Sequence, residues 1–323
     1  MVGVEADTGT DTSTNTHTDA SAGTGRTGAE AETELLVVGG GPAGVSGALM
    51  AASLGLRVTL VEAGERIGGR PWEIGALENV PGGWRDGPSL AKALAGDVER
   101  LEKAGRCTLV RGRAERITAY EDHAEVALDS GVTLSGTAVL VATGVAPLGP
   151  SDTAWIEAPA TLRLPPLWRA GAETGHAVVL GGDRPLGTWL RTRPEAQARW
   201  EVLYPRGDAY KMAEVAGDPR VHAHEVERVS VREAGGGYEV TAYGADGASR
   251  TFAAPHLLAN MGMRPSPPAG DLVSGPEGYC PIASQSFRIL TAGDLRSARH
   301  QRVAPAQGSG AEAALTYYYA AHN

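Results

Sequence analysis

Glu34-Leu35-Leu36-Val37-Val38-Gly39-Gly40-Gly41-Pro42-Ala43-Gly44 runs an apolar strand, a glycine turn and a helix start together. Leu60-Val61-Glu62 follows at the distance where a second strand should end in an acid. Each residue type has a reason in a dinucleotide fingerprint. Gly39 makes the tight turn, Gly41 lets backbone approach a pyrophosphate, and Gly44 packs helix on strand. Pro42 and Ala43 open the helix, whose free amides and positive dipole end suit phosphate. Glu62 is placed to accept a hydrogen bond from a ribose hydroxyl.

Outward from this stretch, the pattern predicts a helix over 43–54 stopped by Gly55, and a second helix over 89–104 with Leu90, Leu94, Val98 and Leu101 on one face. Strands are expected at 108–110, 114–119, 124–128 and 138–142, with a hairpin turn at Ser130-Gly131. The last of them ends at Ala142-Thr143-Gly144. A second strand, turn and helix begin at His176-Ala177-Val178-Val179-Leu180-Gly181-Gly182. Strands at 200–204, 221–224, 226–231, 238–243, 250–254 and 257–260 follow. This half repeats the plan of the first. A strand at 289–291 then leads to Gly293-Asp294, and a helix starting near Gly310 closes the chain. The expected class is α/β, with two Rossmann-like domains, the second inserted in the first.

The chain has 323 residues and a formal charge of −9, which disfavours a nucleic-acid or anionic-membrane surface. No apolar run nears the ~20 residues of a membrane span, and no secretory signal is visible. Two cysteines make no disulfide framework. A soluble, cytoplasmic protein is expected. Residues 1–33 form a Thr, Ala, Gly and Asp tract without apolar period, expected to be a disordered tail.

Taken in order, these motifs over 34–323 resemble the two-dinucleotide-domain flavoproteins, in particular the small thioredoxin-reductase branch. Residues 39–44 with Glu62 resemble the site for the ADP half of FAD. Gly68-Gly69, followed by Glu78-Asn79-Val80-Pro81-Gly82, resembles the stretch lying along the flavin; Gly69 and Asn79 are its candidate contacts. Thr143 and Gly144 match the turn returning from the FAD domain. Gly293-Asp294 matches the pair whose carboxylate binds the ribityl chain. The segment from Arg302-Val303-Ala304 to Gly308-Ser309-Gly310 resembles the one facing the flavin's pyrimidine edge. A helix start at 308–310 would aim free amides at the anion of reduced flavin. The resemblance implies FAD as cofactor, a split FAD domain at 34–149 and 270–323, an inserted NAD(P)-binding-like domain at 150–269, and a homodimer.

The chain departs from that branch in two places. Where the dithiol Cys-x-x-Cys belongs stands Leu164-Pro165-Pro166-Leu167, and Cys107 and Cys280 lie far apart. A flavin-to-disulfide relay needs a thiolate and a resolving partner. In the second turn, Gly181-Gly182-Asp183-Arg184-Pro185-Leu186-Gly187, Asp183 replaces the second essential glycine. It opposes a pyrophosphate with a like charge. Tyr204-Pro205-Arg206-Gly207-Asp208 supplies one arginine beside an acid, and Arg184 could clamp a phosphate. NAD(P)H use is therefore doubtful. His300 is the candidate proton acceptor. His222 and His224 share a strand face without a third ligand, so no metal is expected. Trp72, Trp84 and Trp168 could wall a substrate pocket or simply pack. One or two of Tyr317, Tyr318 and Tyr319 should pack.

The leading expectation is an FAD-dependent oxidoreductase acting directly on a small organic substrate through flavin N5. It would be an oxidase or dehydrogenase of biosynthetic tailoring, with dioxygen as acceptor. An NAD(P)H-dependent reductase of the thioredoxin or ferredoxin reductase type, and a non-redox flavin-binding scaffold, are the alternatives.

Overall fold

The computed structural model describes residues 33–322. The tail expectation falls on residues outside this range, apart from Thr33. The first part of the chain runs β1 (Leu35–Val38), α1 (Pro42–Ser53), β2 (Val58–Glu62), α2 (Gly87–Lys103), β3 (Cys107–Arg111), β4 (Ala114–Ala119), β5 (Ala124–Leu128), β6 (Thr133–Gly136), β7 (Ala138–Val141) and β8 (Val145–Pro147). The middle runs β9 (Ile156–Glu157), β10 (His176–Leu180), α3 (Pro185–Thr192), β11 (Arg199–Pro205), α4 (Ala209–Met212), β12 (Val221–Val226), β13 (Arg228–Ala234), β14 (Gly237–Tyr243), β15 (Ser249–Ala254) and β16 (His256–Ala259). The return runs β17 (Met263–Pro265), β18 (Ala269–Gly270), β19 (Ile289–Thr291) and α5 (Val303–His322).

The first lobe is built on a parallel sheet ordered β19-β7-β1-β2-β3. Its central strands are continuous apolar runs because both faces are covered. Leu35, Val37 and Leu140 face the side of α1, α2 and α5. Leu36, Val38, Val139 and Val141 face the meander β18-β4-β5-β6 through Ile117, Val126 and Leu128. β19 comes from beyond residue 259, so the chain leaves this lobe and returns to complete its sheet.

The second lobe repeats the plan. Its parallel sheet is ordered β12-β11-β10-β16. Ala177, Val179, Trp200 and Val202 face α3. Val178, Leu180 and Leu203 face the β15-β14-β13-β9 sheet. β8 and β17 pair antiparallel where the chain passes out and back.

Local chemistry sets the helix boundaries. α2 starts at Gly87 because the Asp86 carboxylate accepts from the Ser89 amide at 2.7 Å and Pro88 suits a first turn. α5 corrects the sequence reading: it begins at Val303, and Gly308 and Gly310 lie inside it. Pro305 needs no amide partner in the first turn. Gly310 is there for packing, since a Cβ on it would lie 1.9 Å from the Ala43 carbonyl oxygen. Gly47 matches it on the facing helix, 3.2 Å from the Gly310 carbonyl oxygen by the same measure. The free amides near the first cleft therefore belong to Val303 and Ala304, not to 308–310. Of the three terminal tyrosines, Tyr317 is buried and Tyr319 exposed. Among the described residues, no helix is long and apolar enough to cross a membrane.

Candidate active site: two nucleotide cradles

The first cradle lies at the carboxyl ends of β1, β2, β7 and β19, where ligands gather in parallel sheets. Gly39 turns with φ +106°, and its amide donates to the Val61 carbonyl at 2.8 Å. A Cβ on Gly39 would meet the Ala142 oxygen at 2.5 Å, and one on Gly44 the Gly39 oxygen at 1.7 Å. Gly41 differs: nothing lies within 4 Å of a Cβ there, so its open side can receive a ligand. Pro42 and Ala43 open α1 beside it. The Glu62 carboxylate is held by two amides, from Gly40 and Gly64, both at 2.6 Å.

Thr143 and Gly144 follow β7, and the Thr143 hydroxyl is buried without a hydrogen-bond partner. Gly293 turns with φ +70° and its amide donates to the Ser309 hydroxyl at 2.8 Å, tying the Asp294 turn to α5. Burial pushes the Asp294 carboxyl up to about 6, against the pull of the Arg70 and Arg302 guanidiniums. Val303 is the first residue of α5. Gly69 folds over the cradle, its Cβ position 3.1 Å from the Gly41 Cα. An open glycine face, an orphaned hydroxyl, a helix start and two fixed acids fit FAD, whose ribose and ribityl hydroxyls need acceptors.

Two predicted residues are exposed. Asn79 is in an exposed loop, and the His300 side chain is exposed on left-handed backbone at φ 66°. Among the described residues, no side-chain hydrogen bond ties either to the cradle. Arg70 and Ser309, by contrast, gain their place only through the fold.

The second cradle repeats the first down to its hydrogen bonds. Gly181 turns with φ +98° and donates to the Leu203 carbonyl at 2.8 Å, as Gly39 does to Val61. Asn260 donates to the Leu180 carbonyl at 2.7 Å, as Ala142 does to Val38. The Asp208 carboxylate accepts from the Gly182 amide at 3.2 Å, in the role of Glu62. The difference is Asp183. Lys211 lies 3.1 Å from Asp183 and 2.8 Å from Asp208. Burial works against charge on Lys211, but its bonds to both carboxylates hold its pKa above the ordinary lysine value. Arg184 is engaged with Glu214 at 3.2 Å, not free as a phosphate clamp. The turn and the acid repeat the first cradle, and Asp183, where the first cradle has the open Gly41, is paired with Lys211.

The remaining candidates make contacts of their own. Trp72 donates to the Ile67 carbonyl at 2.8 Å, Trp84 packs on the first core, and Trp168 donates to Glu73 at 2.9 Å. His224 pairs with buried Glu201 at 2.6 Å, and no metal-holding group occurs among the described residues. Cys107 and Cys280 are both buried and unpaired, in cores on opposite sides of the first sheet. Burial pushes the Cys107 thiol up to about 11. At 164–167, Pro166 bridges Ala259 at the edge of the second sheet and Leu167 is buried.

Residues 33–182 match the family model described as "Pyridine nucleotide-disulphide oxidoreductase". The structure superposes on thioredoxin reductase of Lactococcus lactis with TM-score 0.73 and 18% identity, covering 89% of this chain and 98% of that one. The chain has the fold of the thioredoxin reductases. It is also similar to ferredoxin–NADP reductase of Gluconacetobacter diazotrophicus, 25% identical over 252 residues and 72% of each chain. Over 112 residues it is 34% identical to NADH dehydrogenase of Ferdinandcohnia aciditolerans; this takes in 34% of the chain but only 20% of that relative's length.

Proposed function

We propose that this chain is an FAD-dependent reductase of the thioredoxin or ferredoxin reductase type that works without a dithiol relay. Electrons enter from a reduced pyridine nucleotide and leave to a small-molecule or protein acceptor. The duplicated cradle carries this reading: Asp208 repeats Glu62 at the acid position, and Lys211 supplies a cation where phosphates would lie. The absence of cysteine from 164–167 and the burial of both thiols set it apart from a disulfide relay.

Bound FAD supplies hydride exchange at its N5. The chain's own residues do the rest. Glu62 and Asp294 hold hydroxyls, Gly41 and the amides opening α1 take the pyrophosphate, and the head of α5 with Arg302 offers positive charge to the reduced ring.

Direct oxidation of a small organic substrate, with dioxygen as acceptor, is the second reading. Asp183 favours it, because a carboxylate there repels a nucleotide's phosphates. Anaerobic mixing with NADH and with NADPH separates the two. Bleaching of the flavin band supports the reductase; a band left intact by both, with oxygen-dependent turnover of an organic substrate, supports the oxidase. Asp183→Gly should speed reduction by the nicotinamide roughly fivefold or more, from relief of a like-charge contact of about 1 kcal/mol or more. An unchanged rate would mean that Asp183 is no barrier.

A further inference from the structure

The two cradles place the same pair of groups beside the second glycine of their turns. In the first, the Glu62 carboxylate accepts from the Gly40 amide, and a Cβ on Gly40 would lie 2.7 Å from Ile67 and 2.9 Å from the Glu62 carboxylate. In the second, the Asp208 carboxylate accepts from the Gly182 amide, and a Cβ on Gly182 would lie 2.9 Å from Met212 and 3.1 Å from the Asp208 Cβ. Strand register pairs Val38 with Val61 and Leu180 with Leu203, so Tyr204 is the residue level with Glu62. Asp208 reaches the acid's place from the short turn Arg206–Asp208 that follows β11. An acid and an apolar side chain therefore flank both turns, although the sequence delivers them differently.

We propose that Asp208 is a specificity-determining residue, and that the second cradle takes a nicotinamide nucleotide with an unphosphorylated 2′-hydroxyl, NADH rather than NADPH. The inference rests on the reductase reading above and names its reductant. The first cradle supplies the pattern. FAD, which it fits, carries an adenosine ribose with a free 2′-hydroxyl, and the acid suited to that ribose recurs in the second cradle.

The charges around Asp208 point the same way. Asp183 and Asp208 share one ammonium, Lys211, at 3.1 and 2.8 Å, and all three side chains are mostly buried. Two carboxylates outweigh one ammonium, so no positive excess remains for a third phosphate. Arg184 is engaged with Glu214, and Arg206 is exposed, where water weakens its pull. A ribose hydroxyl donates to a carboxylate. A phosphate ester in its place brings about two negative charges and loses that donor. The redox balance is the same for either nucleotide: one hydride passes from its ring to the flavin, a proton comes from solvent, and the oxidised nucleotide leaves.

Anaerobic stopped-flow reduction of the FAD-loaded protein, over a concentration series of NADH and of NADPH, tests this in wild type and Asp208→Asn. Flavin absorbance and thermal melts report whether the variant folds and holds FAD. Wild type should reach half its limiting rate at an NADH concentration about tenfold or more below that for NADPH. Asp208→Asn keeps an acceptor oxygen but removes the charge, and should bring NADPH to within about threefold of NADH. Equal or better use of NADPH by the wild type overturns the inference and leaves the reductase reading standing, and this ratio decides even where the variant fails to fold. An Asp208→Asn protein that folds and keeps the full wild-type preference removes Asp208 as the discriminating group. A flavin bleached by neither nucleotide overturns the reductase reading, and the inference falls with it.

Discussion

Gly310→Ala lowers the stability of the apoprotein by about 3 kcal/mol or more, while Gly308→Ala on the same helix raises it by about 0.5–1 kcal/mol. The opposite signs follow from one packing fact. The Cβ added at Gly310 falls 1.9 Å from the Ala43 oxygen and 3.1 Å from the Ala43 Cα, all backbone of α1. Neither helix can yield by turning a side chain, so α1 and α5 must separate and loosen the small-residue seam of Gly47, Ala306 and Ala313. At Gly308 nothing lies within 4 Å of an added Cβ, and the residue is exposed inside a helix. There alanine only removes freedom from the unfolded chain. Urea titration of the two variants checks this. Equal effects would mean that the helices do not cross at Gly310.

Asp294→Ala should purify with a small fraction of the FAD that the wild type carries, because the ribityl hydroxyls lose a charged acceptor in a half-buried place. Asp294→Asn keeps an acceptor oxygen and should retain more. The pH dependence has a definite sign. The native carboxyl titrates at about 6 against an ordinary 3.8, so between these values the folded apoprotein binds more protons than the unfolded chain. The contribution of Asp294 to apoprotein stability should therefore fall as pH rises through this window, and that part of the slope should be absent in Asp294→Asn. FAD binding runs the other way and weakens as pH drops through about 6, since the protonated form no longer offers a charged acceptor. Absorbance of the bound flavin and melts across pH measure both. Full flavin content in Asp294→Ala would remove Asp294 from the site.

The parallel-sheet framework was readable because its strands are unbroken apolar runs bounded by glycine, as at 35–38 and 176–180. The cradle positions Gly39, Gly41, Gly44 and Glu62 were readable because backbone geometry allows few other residues there. The start of α5 was misread because a glycine in sequence looks the same whether it ends a helix or lets two helices touch; only the facing Ala43 tells them apart. Short strands such as β9 and β18 carry too few residues to show an alternation. The contacts among Arg70, Glu73 and Trp168 were invisible for another reason. The residues that join them are nearly a hundred positions apart, so no local spacing announces the contact.

Pro165 and Pro166 have a further consequence. They lie along the outer side of β16, where the Ala259 amide donates to the Pro165 carbonyl at 2.9 Å and Pro166 completes the bridge. Two adjacent imides bring no N–H to the rim, so that margin of the second sheet offers no ladder for another polypeptide to extend. The stretch at 164–167 thus caps β16 at Ala259, and strand addition at that point is disfavoured by covalent structure.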